Sequence, residues 1–246
     1  VGAELALDGR LRDIFGRNAM ERRTAQLADH VIVCGYGRFG RVVVDELRHN
    51  DADVVVVDCN STLEETLRSR GVPYVIGSAL EDDVLERAGI RSARAIVVAT
   101  PSDPDNVFVT LSAREKSATI RIHARGETEA GLRRLELAGA DQALSAYHSG
   151  GVRMAASILR PSVVDFLELS LQGRRSDMAL EEMRLAAGCS LEGRTVVAIE
   201  QDYARLRVVA LERGDEALRI VPDPDTVLAA NDLLIVIGDR TRLAHL

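Results

Sequence analysis

From residue 30 the chain repeats a regular alternation of short apolar runs and longer amphipathic stretches. The runs cover residues 30–34, 54–57, 74–76, 95–99, 119–124 and 142–145. Most are rich in β-branched residues and lack the in–out alternation of a half-exposed strand, as expected of strands covered on both faces. The stretches between them, 39–49, 61–70, 80–88, 104–116 and 127–138, read as helices. Three of these close at a glycine, Gly71, Gly89 and Gly139, the usual stop signal. Strands alternating with helices imply right-handed crossovers and a parallel sheet. The predicted fold is α/β, a Rossmann-like doubly wound parallel sheet.

The pattern changes after residue 147. A helical crossover spans about 151–171, and Pro161 should kink or break it. Beyond it, residues 179–185, 195–200, 206–212, 217–221 and 233–237 read as short strands. Gly188, Gly193, Gly214 and the Pro222-Asp223-Pro224 turn punctuate them. This predicts a small C-terminal α+β, β-rich subdomain. Residues 1–29 are different again, with Leu5, Leu11, Ile14 and Phe15 set among Arg10, Arg12, Arg17, Arg22 and Arg23. They read as a solvated helical linker from an upstream segment. The expected division is therefore 1–29 linker, 30–147 nucleotide-binding lobe, 148–175 crossover and 176–246 C-terminal subdomain.

Between the first strand and the first helix lies Gly35-Tyr36-Gly37-Arg38-Phe39-Gly40, a G-x-G-x-x-G loop. Alone the motif is weak, but here it stands in the context that gives it a mechanism. Gly35 permits the tight turn, Gly37 lets backbone approach a phosphate, and Gly40 allows close helix–strand packing. The free amides of the helix start then face the anion. Asp58 follows Gly40 by eighteen residues and ends the second strand. A carboxylate there accepts hydrogen bonds from ribose hydroxyls and repels a 2′-phosphate, which favours NAD or NADH over NADP. ATP, ADP and AMP remain open, since their ribose is recognised the same way. Cys59, Gly77, Ser78, Ala79 and Thr100 follow strand ends and join the candidate site, because carboxyl ends of strands line such clefts. Arg38 can clamp a phosphate.

Composition removes several classes. The net charge is −7, and only 3% of residues are aromatic, with no Trp. Neither a basic patch nor a stacking platform is available for nucleic acid. No run of eighteen apolar residues offers a membrane span. Cys34, Cys59 and Cys189 lack metal-pair spacing and read as buried, reduced thiols. A hydride-transfer enzyme needs a proton relay; the chain has no Tyr-x-x-x-Lys and a single lysine, Lys116. Asp103, Asp105, Glu127 and Glu129 could offer oxygens to Ca²⁺, but their spacing is not that of an EF-hand. They read as helix-start acids favoured by the dipole, with Asp103 and Glu127 the weak metal candidates.

The run over residues 30–40, Asp58 after its valines, Gly77-Ser78-Ala79 and the stretch from Leu137 to Gln142 together resemble an RCK domain, a regulator of K⁺ conductance of the Trk/Ktr type. In the tail, Ser190–Gly193 and Leu228–Gly238 resemble that family's C-terminal subdomain. The resemblance implies a cytosolic gating module without catalysis. Its lobes pair through the crossover helices, pairs assemble into an octameric ring, and ligand binding reshapes the ring beneath a K⁺ pore. It also implies Arg125, after the fifth strand, as a further nucleotide contact. Relatives that sense Ca²⁺ carry acids where this chain has Ala99 and Arg125; only Glu127 fits. The arginine-rich leader suggests a channel's regulatory domain at the cytoplasmic face of the membrane; the alternative is the separate subunit of a Trk/Ktr transporter.

Overall fold

The computed structural model describes residue 24 and residues 27–171, 178–203, 205–214 and 216–239. Nearly all of the expected linker over 1–29 lies outside them. The chain divides into two compact units, residues 1–152 and 153–246.

In the first unit six strands form one parallel sheet: β1 (Val31–Cys34), β2 (Val54–Asp58), β3 (Tyr74–Ile76), β4 (Ala95–Val98), β5 (Arg121–Arg125) and β6 (Gln142–Leu144). Their order is β3-β2-β1-β4-β5-β6. The order reverses between β1 and β4, and a crevice opens there at the carboxyl ends of the strands. The helices between the strands are α1 (Arg38–His49), α2 (Glu64–Ser69, after a single 3₁₀ turn), α3 (Asp82–Arg87), α4 (Asp103–Lys116) and α5 (Glu129–Leu137). Ile32, Val55, Ile96 and Ile122 pack one face of the sheet, and Val31, Val33, Val54 and Val56 the other. This two-sided burial is why the strands read as unbroken apolar runs.

Two helices follow, α6 (Ala146–Leu159) and α7 (Pro161–Leu171). The expected break at Pro161 is present: the ring opens α7, where its missing N–H costs nothing.

The second unit holds an antiparallel sheet of β7 (Met178–Arg184), β8 (Arg207–Glu212), β9 (Arg219–Ile220) and β10 (Leu233–Asp239), ordered β7-β10-β8-β9. One expectation fails here. Of residues 195–200, read as a strand, 196–200 lie in the helix α8 (Val196–Asp202) and Thr195 caps it. Val196 and Ile199 are buried at helical spacing, and the Thr195 hydroxyl accepts the Ala198 N–H at 3.3 Å. The β-branched residues misled; a threonine cap outweighs their modest helix penalty.

Candidate functional site

The glycine loop joins the end of β1 to α1, and each glycine answers a different constraint. Gly35 has φ +98°, and a Cβ there would lie 2.6 Å from the Ala99 carbonyl oxygen. A Cβ on Gly40 would fall 1.8 Å from the Gly35 carbonyl oxygen, so α1 can approach the loop only through a glycine. Gly37 is different: a Cβ would meet nothing within 4 Å. Its side faces open space at the start of α1. Gly37 caps α1, and the first turn contains no acidic residue, so no carboxylate competes for the free amides.

Asp58 fixes this loop from the neighbouring strand. Its Oδ2 accepts the Tyr36 backbone N–H at 2.7 Å, and its Oδ1 accepts the Asn60 N–H at 2.8 Å. A carboxylate has about four lone-pair sites, so both oxygens retain capacity toward the cleft.

A cleft of about 740 Å³ opens over the loop. It is lined by Gly35, Gly37, Arg38, Phe39, Asp58 and Cys59, and further along by Gly77, Ser78, Ala79, Thr100 and Arg125. Two of the candidate residues are not in its wall. Gly40 acts through packing. The Tyr36 ring is buried and turned away; its hydroxyl accepts from Arg70, which also pairs with Asp45. Arg41 donates to the Tyr36 carbonyl and lies over its ring, 5.3 Å from the centroid. Tyr36 thus holds the loop from behind.

Arg125 reaches back from β5 toward the loop. Its guanidinium sits over the Phe39 ring, 6.0 Å from the centroid, and pairs with Glu127. Glu127 is accordingly an arginine partner. Asp103 is also engaged: its carboxylate accepts the Glu127 N–H at 2.8 Å and the Thr128 N–H and hydroxyl at 3.2 and 3.0 Å. Those hydrogen bonds, with Arg125 nearby, outweigh partial burial and hold its carboxyl below the usual range. Among the described residues no three His, Cys, Asp or Glu side chains group as metal ligands.

Asn106 escaped the sequence reading. It is 1% exposed. Its Oδ1 accepts the Thr100 N–H at 3.0 Å and the Thr100 hydroxyl at 2.7 Å. Its Nδ2 donates to the Thr100 carbonyl at 3.1 Å and the Arg125 carbonyl at 2.8 Å. One amide therefore ties the ends of β4 and β5 together beneath the cleft. An asparagine inside a helix, four residues past the Ser102 cap, was the available signal, because that position disfavours it unless its side chain is used.

The cysteines do not share one environment. Cys34 is buried, and burial first, then the neighbouring Asp58, pushes its thiol up to about 12. Cys59, expected to be buried, is exposed on the cleft wall, because the strand has ended and the chain is turning outward. A thiol reagent at neutral pH should therefore label Cys59 and spare Cys34 in the folded protein. A nucleotide in the cleft should slow Cys59 labelling. Peptide mapping after timed alkylation checks both; fast labelling of Cys34 would contradict the packing.

Fold and cleft define a class: a doubly wound domain with a dinucleotide-type phosphate loop, followed by a small antiparallel domain. The TrkA-N domain family model matches residues 31–146, and the TrkA-C domain model matches residues 180–246. The chain is 30% identical to Potassium channel protein 1 of Methanocaldococcus jannaschii, over 99% of this chain and 73% of that protein. It is 26% identical to Ktr system potassium uptake protein A of Vibrio alginolyticus, over 87% of this chain and 94% of that one. The human SLO3 gating ring superposes with a TM-score of 0.64 at 18% identity, covering 88% of this chain and 44% of that one, a likeness of fold. The chain belongs to the RCK family, the regulatory domains of potassium channels and Ktr-type potassium transport. Among its described residues no helix is long and apolar enough to cross a membrane.

Proposed function

We propose that this chain is the cytosolic gating-ring module of a potassium channel, which senses NAD⁺, NADH or an adenine nucleotide and passes the signal to the pore. The observation that carries the reading is the cleft itself: open backbone at Gly37, helix-start amides free of acids, and the Asp58 carboxylate on the same wall. The residues lining it that are described include no His and no Lys, which suits a bound signal better than a turned-over substrate.

The channel is favoured over the separate transporter subunit because the match to the archaeal channel protein runs over 99% of this chain, against 87% for the Ktr protein. In this reading residues 1–29 link to the pore, 30–147 bind the nucleotide, 148–175 pair two copies and 176–246 form the C-terminal lobe. Val152, Ile158, Leu159, Val163 and Phe166 are exposed on α6 and α7 and offer the apolar surface such pairing needs. Pairs then assemble into an octameric ring at the cytoplasmic face. Nucleotide moves the pore only by binding one ring state more tightly than another.

Potassium flux through the complete channel in vesicles tests this. Nucleotide on the domain side should change flux several-fold, which needs a differential affinity of roughly 1 kcal/mol per site or more, and Gly37→Val should lose the response. Flux indifferent to all of these nucleotides would overturn the proposal.

A further inference from the structure

The first half of the glycine loop offers the body of the domain a single side chain. Gly35 and Gly37 have none, so Tyr36 alone can be gripped from outside. Glycine backbone also loses the most conformational freedom when it is ordered. Amides that must converge on a phosphate lose affinity to every competing shape of the loop. What holds Tyr36 therefore bears on binding.

Tyr36 is held at each of its polar groups. Asp58 of β2 accepts its backbone N–H at 2.7 Å. Arg41 of α1 donates to its carbonyl at 3.2 Å and lies over its ring. The side chain is 1% exposed, and its hydroxyl accepts from Arg70, the residue that caps the C-terminus of α2. Arg70 is itself aimed from α1: Asp45 pairs with its guanidinium, and Arg48 donates to its carbonyl at 3.0 Å. Neither Arg70 nor Asp45 lines the cleft. Their side chains are 38% and 52% exposed, too exposed for the ion pair to add much stability. What the pair does instead is place a guanidinium fork on the one buried phenol behind the phosphate loop.

We infer that Arg70 is a positioning residue for nucleotide binding, aimed by Asp45 and acting on the phosphate loop through the Tyr36 hydroxyl. The inference rests on the nucleotide reading above and adds a residue outside the cleft that governs affinity there. The physical step is preorganisation. With the hydroxyl held, the Tyr36 backbone stays where Asp58 and Arg41 meet it, and the helix-start amides that follow stay aimed at the cleft. Without that hold the loop spends part of its time in other shapes. Apparent affinity then falls with the fraction of loops that remain competent. Arg70 does not touch the ligand, so the loss lies in association. Once bound, the phosphate itself holds the amides, and dissociation changes little.

Titration of the full chain with NAD⁺ and with ADP tests this, by calorimetry for affinity and stopped flow for rates. The proteins are wild type, Tyr36→Phe, Arg70→Gln and the double variant. Each single change should weaken the nucleotide that wild type binds by roughly fivefold to tenfold, a charge-assisted hydrogen bond felt in part. The fall should lie in association, with dissociation within about twofold of wild type. Melting separates positioning from plain stability. Arg70→Gln strands a buried phenol hydroxyl and should melt roughly 4 °C lower. Adding Tyr36→Phe removes that hydroxyl and should restore the melting temperature. It should not restore the affinity, and the two losses should not add, because both changes break one contact. Affinity that recovers together with the melting temperature would make Arg70 a structural residue only. Unchanged affinity in either single variant, additive losses, or a loss confined to dissociation also sinks the inference, with the nucleotide reading intact. Wild type that binds neither nucleotide overturns both.

Discussion

Gly40→Ala should destabilise the first unit by about 3–5 kcal/mol, whereas Gly37→Ala, three residues away in the same motif, should change stability by less than about 1 kcal/mol. The difference follows from what each added methyl meets. On Gly40 it would lie 1.8 Å from a backbone oxygen and 3.0 Å from the carbonyl carbon of Gly35. No rotamer relieves that clash. Gly35 cannot retreat, because its φ of +98° and the Ala99 carbonyl confine it from the other side. Either α1 moves off the sheet or the loop unfolds. On Gly37 the methyl enters open space at an ordinary φ of −74°. Thermal unfolding separates the two: a fall of roughly 10 °C for Gly40→Ala and little change for Gly37→Ala. Phosphate binding should rank them differently. The Gly37 methyl occupies the approach to the helix-start amides, so Gly37→Ala should fold and still lose nucleotide affinity by roughly tenfold or more. A Gly40→Ala protein that melts with wild type would mean the loop is not packed as described.

Asp58→Ala should combine both effects. The carboxylate accepts two backbone N–H groups, from Tyr36 at 2.7 Å and Asn60 at 2.8 Å. Stranding the partly buried Tyr36 donor costs about 1–3 kcal/mol, while the exposed Asn60 N–H can turn to water, so a loss of about 1–3 kcal/mol is expected. The ligand loses its ribose acceptor and a loop held in the binding shape, a combined fall in affinity of roughly 100-fold. Asp58→Asn is the informative partner: its single oxygen can satisfy only one of the two amides. Neither change should make Cys34 reactive, because burial is the larger cause of its raised thiol pKa and Asp58 the smaller.

The fold was legible where one physical demand dominates each segment. Val54–Val57 must be buried on both sides, and nothing but a central strand tolerates that run. The glycine spacing and Asp58 were legible because backbone geometry, with few substitutes, requires those residue types. The readings that failed lie where tertiary context decides. Residues 196–202 carry β-branched residues yet form a helix, because Val196 and Ile199 share one buried face. Tyr36 sits inside the motif, yet its ring serves the core and Arg70. Asp103 is the helix-start acid the sequence indicates, in the first turn of α4, but its partners lie 24 and 25 residues ahead, a distance no local pattern reveals. Asn106 and Tyr147 join the site only because the carboxyl ends of β4 and β5 and the start of α6 come together there. The RCK resemblance supplied Arg125, which spacing alone would not have singled out.

The central claim is that the cleft over Gly35–Gly40 binds a nucleotide held by Asp58. It is tested most directly by calorimetric titration of the full chain with NAD⁺, NADH, ADP and ATP, in wild type and Asp58→Ala. The account predicts saturable binding of at least one nucleotide by wild type, with affinity falling roughly 100-fold in the variant. Equal binding by the two proteins, or none by wild type, would contradict it.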